Sequence, residues 1–188
     1  MKNRMNVVKR SKQAGITNIQ IAVGITVLAL SLVGGLYLFK YIGQQQDMNE
    51  SGEISDLKSS SVSYAGLHGG RYTNLTISLA CSKDFFPAGR CVGTGASATV
   101  TNMRGGAITM AIVNLTGTDT GVQWNYPGYS NKSCIAEITS LWNNAARIDV
   151  GGTPVKTATT QTLQDTTIQQ ACEASNDNAT IAWTFGPN

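Results

Sequence analysis

The 188-residue sequence predicts an α+β protein: a long N-terminal helix packed on a C-terminal antiparallel sheet, with short helices and two disulfides. Three observations carry that expectation. From Ile16 to Phe39 no residue bears a charge, and at about 1.5 Å per residue a helix of that length spans the roughly 30 Å hydrocarbon core of a bilayer. Downstream, ASATVTNMRGGAITMAIVNLTG and ATIAWTFGPN alternate apolar and polar residues with the period of strands. All four cysteines follow the apolar run and none lies in a CxxC, which suits two disulfides formed in an oxidising compartment.

The formal charge of +3 is unevenly placed. Five of the fourteen basic residues (Lys2, Arg4, Lys9, Arg10, Lys12) precede Gly15, and no acid does; beyond it nine basic residues face eleven acidic ones, or −2. The balance gives no support for a nucleic-acid-binding surface, and no direct nucleic-acid binding is expected. A basic head beside an apolar segment is a cytoplasmic topology signal. Residues 1–15 show no apolar face and read as a leader. The rest of the chain is rich in Gly, Ser, Thr, Asn and Ala, a composition suited to a β-rich extracytoplasmic domain that packs against copies of itself.

Three readings of the apolar run compete: a secretory signal, a permanent anchor, and a segment trimmed at Gly15 and later packed into a fibre. A secretory h-region is about 7–15 residues long. This run is longer and begins with Thr17, Asn18 and Gln20, although cleavage near Gly34 or Gly35 is an alternative. A basic leader ending in Gly, then an apolar helix with a polar residue at the fifth position, resembles a type IV prepilin. The resemblance implies that an intramembrane prepilin peptidase cuts between Gly15 and Ile16 and methylates the new N-terminus. Gln20 then takes the N-terminal assembly position, where most of the family has Glu to neutralise the α-amino group of a neighbouring subunit. A Gln carbonyl accepts a hydrogen bond but brings no charge, and this departure points toward a minor or specialised subunit. Gly24, Gly34 and Gly35 serve either close helix packing in the membrane or local unwinding on the way into the fibre.

After Lys40 a polar stretch contains Gly52, where a break or kink is expected. Helical spacing returns at Ile54, Leu57, Val62 and Ala65 and ends at Gly69–Gly70. The predicted organisation is a leader at 1–15, an N-terminal helix at 16–68 with 16–39 as transmembrane segment and fibre core, and a globular head at 69–188. Thr73 is the expected cap of a short helix carrying Leu75 and Leu79, with a strand as the alternative. Cys81 and Cys91 are close enough in sequence to close a small loop. Inside it, Phe85 and Phe86 read as core residues of the loop or as an exposed apolar knob touching another subunit. Two strands follow, turning on Asn102, Arg104, Gly105 and Gly106, and then a short strand at Val122–Trp124. Ser133 opens an amphipathic helix carrying Ile135, Ile138, Leu141 and Ala145. RIDVGG is a short strand and turn, and a Thr-rich loop follows. Thr166 or Thr167 is the expected cap of a helix holding Cys172, and a terminal strand carries Ala179, Ile181, Trp183 and Phe185.

This last third resembles the type IVb pilins, which include bundle-forming and toxin-coregulated pilins and the thin-pilus pilins of conjugative plasmids. In that group a disulfide runs from a helix in the middle of the head to a segment just before the final strand. The resemblance therefore implies Cys134–Cys172, leaving Cys81–Cys91; pairings of 81 or 91 with 134 or 172 stay open on sequence.

No catalytic set is legible. His68 is a turn residue, the acids show no close pair, and no GxSxG, HExxH, P-loop or dinucleotide fingerprint occurs. No enzyme activity, cofactor or metal is expected. The function implied is that of a structural subunit, polymerised into a surface fibre for adhesion, aggregation or conjugative mating contact. Its partners are then other copies of itself, prepilin peptidase, the inner-membrane pilus assembly platform, and the membrane before assembly. The implied location is the bacterial inner membrane as precursor and the extracellular pilus thereafter. A minor pilin or type II secretion pseudopilin is the first alternative, and a membrane-anchored periplasmic binding module the second.

Overall fold

Helix α1, continuous through 49–67 in the computed structural model, buries Ile54, Leu57 and Ala65 as their spacing predicts. The structure describes residues 49–157, 159 and 162–187. Every described residue belongs to one compact unit, Gly43–Asn188. The expectations for Gly15, Ile16, Gln20 and the run 16–39 lie outside the described residues. No break occurs at Gly52: the position is exposed with nothing within 4 Å of an added Cβ, and its neighbours are anchored on both sides. Helix α1 ends where Gly69 and Gly70 take φ of +65° and +78° and Gly70 N–H donates to Ala65 O at 2.8 Å, the left-handed stop that glycine permits.

Helix α2 is Ile77–Ser82, capped by Thr76, whose hydroxyl accepts from Leu79 N–H at 3.1 Å. Thr73 is not the cap. Its hydroxyl donates to Asp119, and Asn74 turns the chain with φ +66° before the helix can start. The strands are β1 (Cys91–Val92), β2 (Thr99–Thr101), β3 (Ala107–Val113), β4 (Gly121–Tyr129), β5 (Arg147–Val150), β6 (Thr153–Lys156) and β7 (Ala179–Phe185). Helix α3 is Asn131–Leu141, continued by a 3₁₀ turn at Trp142–Asn144, and α4 is Asp165–Glu173. Ser130, not Ser133, caps α3, accepting from Ser133 N–H at 3.2 Å. Thr166 and Thr167 lie inside the first turn of α4; Gln164 holds the cap position, its side chain accepting from the Thr167 hydroxyl and not from a backbone N–H, and Asp165 faces the positive helix end.

All strand pairs are antiparallel, in the order β1-β2-β3-β4-β7-β5-β6. The last strand in sequence is therefore central. The register aligns Trp124 with Trp183 and Ile148, and Tyr126 with Ile181 and Val150, so these rings and branched chains share one face. That face packs against α1 and α3. Because β7 is central, six of its seven residues are buried, where alternation alone predicts a half-exposed strand. Strand β4 runs well past the expected Val122–Trp124. Its Pro127–Gly128 step is absorbed by a register shift between Tyr126 and Tyr129, the place in a sheet where proline is tolerated. Strand β6 lies within what reads as a Thr-rich loop; Pro154 is accepted because β6 is an edge, and Gly151–Gly152, both at positive φ, form the tight hairpin turn.

Candidate functional site

The seam between α1 and the sheet is built partly from acids. Glu50 is 0% exposed and Glu53 4% exposed, one helical turn apart on the stripe that also carries Ile54 and Leu57. Glu53 is fully partnered: Arg90 Nη2 donates to Oε2 at 2.8 Å and the Tyr126 hydroxyl to Oε1 at 3.2 Å. Glu50 Oε2 accepts from Arg104 Nε at 2.9 Å, and the Arg104 guanidinium lies 4.4 Å over the Tyr129 ring. Burial pushes the Glu50 carboxyl up and neighbouring Glu53 adds to the rise, against the pull of Arg104 and of the Tyr129 hydroxyl. Burial likewise holds the Tyr126 and Tyr129 phenols well above their ordinary value, with Glu53 and Glu50 respectively reinforcing it.

Hydroxyls on α1 add further contacts. Ser51 donates to buried Glu137 of α3 at 2.8 Å, Asn144 donates to Ser55 at 3.0 Å, and Trp124 Nε1 donates to Ser61 at 3.3 Å. At the far end the Tyr64 hydroxyl donates to Thr73 O at 3.0 Å. Such contacts fix the helix's rotation and register, because a shift of one residue would strand each buried polar group. None of Glu50, Glu53, Arg90, Arg104, Tyr126 or Tyr129 was anticipated as a site residue. The signal that could have found two of them is helical period alone, which puts Glu50 and Glu53 on the buried stripe.

The cysteines pair as Cys81–Cys91 and Cys134–Cys172. The first bond ties α2 to the edge strand β1. The second joins α3 to α4 with both cysteines fully buried. Beside it, Asn131 N–H donates to Asp177 and Asp177 N–H donates to Asn131, at 2.9 and 3.0 Å, locking the start of α3 to the turn before β7. Phe85 and Phe86 are core residues, 6% and 5% exposed, with Phe86 edge-on to Trp124 at 5.5 Å; they form no exposed knob. Asp84 takes φ +55° and Phe85 N–H donates to Ala80 O at 3.0 Å, which folds both rings under α2. Leu67, 83% exposed, and Val92, 63% exposed, are the large apolar side chains that do reach solvent among the described residues.

His68 stacks on Tyr64 with its Nδ1 2.7 Å from Tyr64 O, so that nitrogen carries a proton. It borders an open groove of about 380 Å³ lined by Tyr64, Leu67, Leu79, Lys83 and Phe85, which brings no acid to the imidazole. Among the described residues no cluster of His, Cys, Asp or Glu could hold a metal ion, and no helix is long and apolar enough to cross a membrane.

The family described as PilS N terminal matches residues 44–186. Two solved structures share the fold. The crystal structure of type IV b pilin from Salmonella typhi superposes with a TM-score of 0.55 at 18% identity, over 74% of this chain and 98% of that one. The crystal structure of TcpA, a type IV pilin from Vibrio cholerae El Tor biotype, gives a TM-score of 0.56 at 13% identity, over 74% and 98%. No curated protein matches the chain. With the family match running from the approach to α1 through β7, the chain belongs to the PilS N-terminal family and is a type IVb-like pilin, a structural subunit.

Proposed function

We propose that the chain is made as a prepilin, cut between Gly15 and Ile16 by a prepilin peptidase, and polymerised from the inner membrane into a surface fibre. The observation that carries this reading is the join of two features in one chain. A basic leader ending at Gly15 and an uncharged run from Ile16 precede a head of type IVb fold. Before assembly the apolar run holds the subunit in lipid, with the head on the periplasmic side and the assembly platform as its partner. Transfer of that helix from lipid to a helix bundle changes its apolar surroundings little. Specificity therefore falls to the head and to polar N-terminal residues such as Gln20. A heterologous contact between copies gives helical, non-closing symmetry. The fibre would then serve adhesion, aggregation or conjugative mating contact, and two disulfides, one of them fully buried, suit a subunit exposed to shear and proteases.

Mass spectrometry of the mature N-terminus tests the processing step. The expected first residue is Ile16, methylated on its amine. Retention of residues 1–15, or a start beyond Gly34, would refute the reading. Gln20, which lacks the charge of the usual Glu, favours a second reading as a minor pilin or type II secretion pseudopilin. Sheared surface fibres separate the two: a major subunit dominates that fraction and a minor one is a trace. Under the main reading Gln20→Glu improves or preserves fibre formation. Loss of fibres with processing intact would overturn the role given to that position.

A further inference from the structure

Helix α1 presents opposite charge on its two flanks. At about 100° per residue, Asp56, Ser60, Ser63 and Leu67 run along one side of the buried stripe. Ser51, Ser55 and Lys58 run along the other, where Ser51 and Ser55 meet α3 and the 3₁₀ turn after it. On the first side, α1 and the segment following α2 leave an open groove. Toward the start of α1 it holds about 350 Å³ and is lined by Asp56, Asp84 and the Phe85–Ala88 stretch. At Phe85 it continues into the groove that ends at exposed Leu67. Glu53 also lines it, but Arg90 meets that charge. Asp56 and Asp84 are exposed and have no ion-pair partner among the described residues.

The second side is its complement. Half-buried Lys58 borders a hollow of about 190 Å³ with Asn143, Asn144 and exposed Pro187, and no carboxylate lines it. Lys156 is a second cation close by, near enough for the charge of Lys58 to act on it. The two flanks also match in height. Asp56 and Lys58 differ by about 3 Å along the helix. A Cβ added at Gly70 would lie 3.8 Å from Pro187 Cβ, so Pro187 stands at the end of α1 that carries Leu67. Copies set side by side nearly level thus bring cation to carboxylates and proline to Leu67 in one register.

We propose that the groove of Asp56, Asp84 and Leu67 is a docking surface for a second copy of this chain, which fills it with its own Lys58 flank. The two surfaces differ, so the contact is heterologous and repeats from copy to copy as a fibre requires. This docking rests on the reading of the chain as a fibre subunit and gives the contact between heads its residues.

Charge reversal in the full-length chain, in cells that assemble it, tests the contact. Asp56→Lys and Lys58→Asp each set like charges against one another between copies, and each is expected to cut the sheared fibre fraction roughly tenfold or more. Subunit level and melting of the head report folding. The double variant D56K/K58D restores opposite charges between copies and is expected to return fibres to within about twofold of the unaltered chain. Residues i and i+2 do not face each other on a helix, so such a rescue arises between chains. The photo-crosslinker p-benzoylphenylalanine placed at Ser63, an exposed residue of the groove, should join residues 143–146 or 186–187 of a second copy. Fibres that withstand either reversal, or a double variant no better than the singles, overturn this docking and leave the fibre reading standing. An adduct on another protein, one elsewhere on the chain, or none overturns it too, even where a reversed variant fails to fold. If the unaltered chain forms no fibres, both readings fall.

Discussion

The two disulfides should differ in what they contribute, and the difference follows from the positions the fold gives them. Cys134–Cys172 closes a sequence separation of 38 and Cys81–Cys91 one of 10. Loop-closure entropy assigns about 4 kcal/mol to the longer loop and about 3 kcal/mol to the shorter. Burial widens the gap. Cys134 and Cys172 are both 0% exposed, so replacing them by Ala also removes two packed sulfurs, worth on the order of 1 kcal/mol together, while Cys81 and Cys91 are only half-buried. The paired variant C134A/C172A is thus expected to lose about 5 kcal/mol and C81A/C91A about 3 kcal/mol. For a unit of this size that corresponds to roughly 15–20 °C and about 10 °C in Tm. Tryptophan fluorescence is the natural readout, because Trp124, Trp142 and Trp183, the only tryptophans in the chain, are all buried in the head. A larger loss in C81A/C91A than in C134A/C172A would refute the reasoning, as would a loss under about 2 kcal/mol for the latter, below the range typical of a native disulfide.

Other positions give sharper local tests. Arg90→Ala strands Glu53, 4% exposed, and should cost about 3–5 kcal/mol in urea unfolding, much of it recovered by adding Glu53→Gln. Trp124→Ala should cost about 3–5 kcal/mol, whereas Ser61→Ala, which only deprives the indole of its acceptor, should cost about 1 kcal/mol. A Cβ at position 106 would sit 2.6 Å from Pro127 Cγ, so Gly106→Ala should lose about 1–3 kcal/mol. Gly66 has open space on α1, and Gly66→Ala should gain roughly 0.5–1 kcal/mol. Replacing Lys156, whose ammonium donates to Ala145 O at 2.7 Å and also to Trp142 O, by Ala should cost about 2 kcal/mol by stranding those carbonyls.

Local chemistry was legible wherever one segment held all the information. The Asn102–Gly106 turn closes as its residues indicate, with Asn102 Oδ1 accepting from Gly106 N–H at 2.8 Å. The stripe on α1 and the strand at 179–185 needed only their own periods. Helix starts were less legible, because several hydroxyls compete at each and distant partners decide: Asp119 takes Thr73, leaving Thr76 to cap α2. Strand β6 escaped because Pro and Thr forbid a central strand but not an edge, and edge status is set by the whole sheet. The acids of the seam escaped for a related reason. Their arginines come from sequence positions 37 and 54 residues away, and nothing local marks Arg90 or Arg104 as their partners.

The sequence by itself determined that an uncharged run follows a basic stretch, that a cysteine-bearing head succeeds it, and that the head mixes short helices with alternating strands. Those are properties of composition and period, which any fold must respect. Only the tertiary structure decided that the last strand is the central one, that Phe85 and Phe86 belong to the core, and that α1 is held by buried carboxylates as well as by its apolar stripe. Each of these depends on which distant segments become neighbours. Burial and charge pairing take their energies from that neighbourhood and not from the chain's local order.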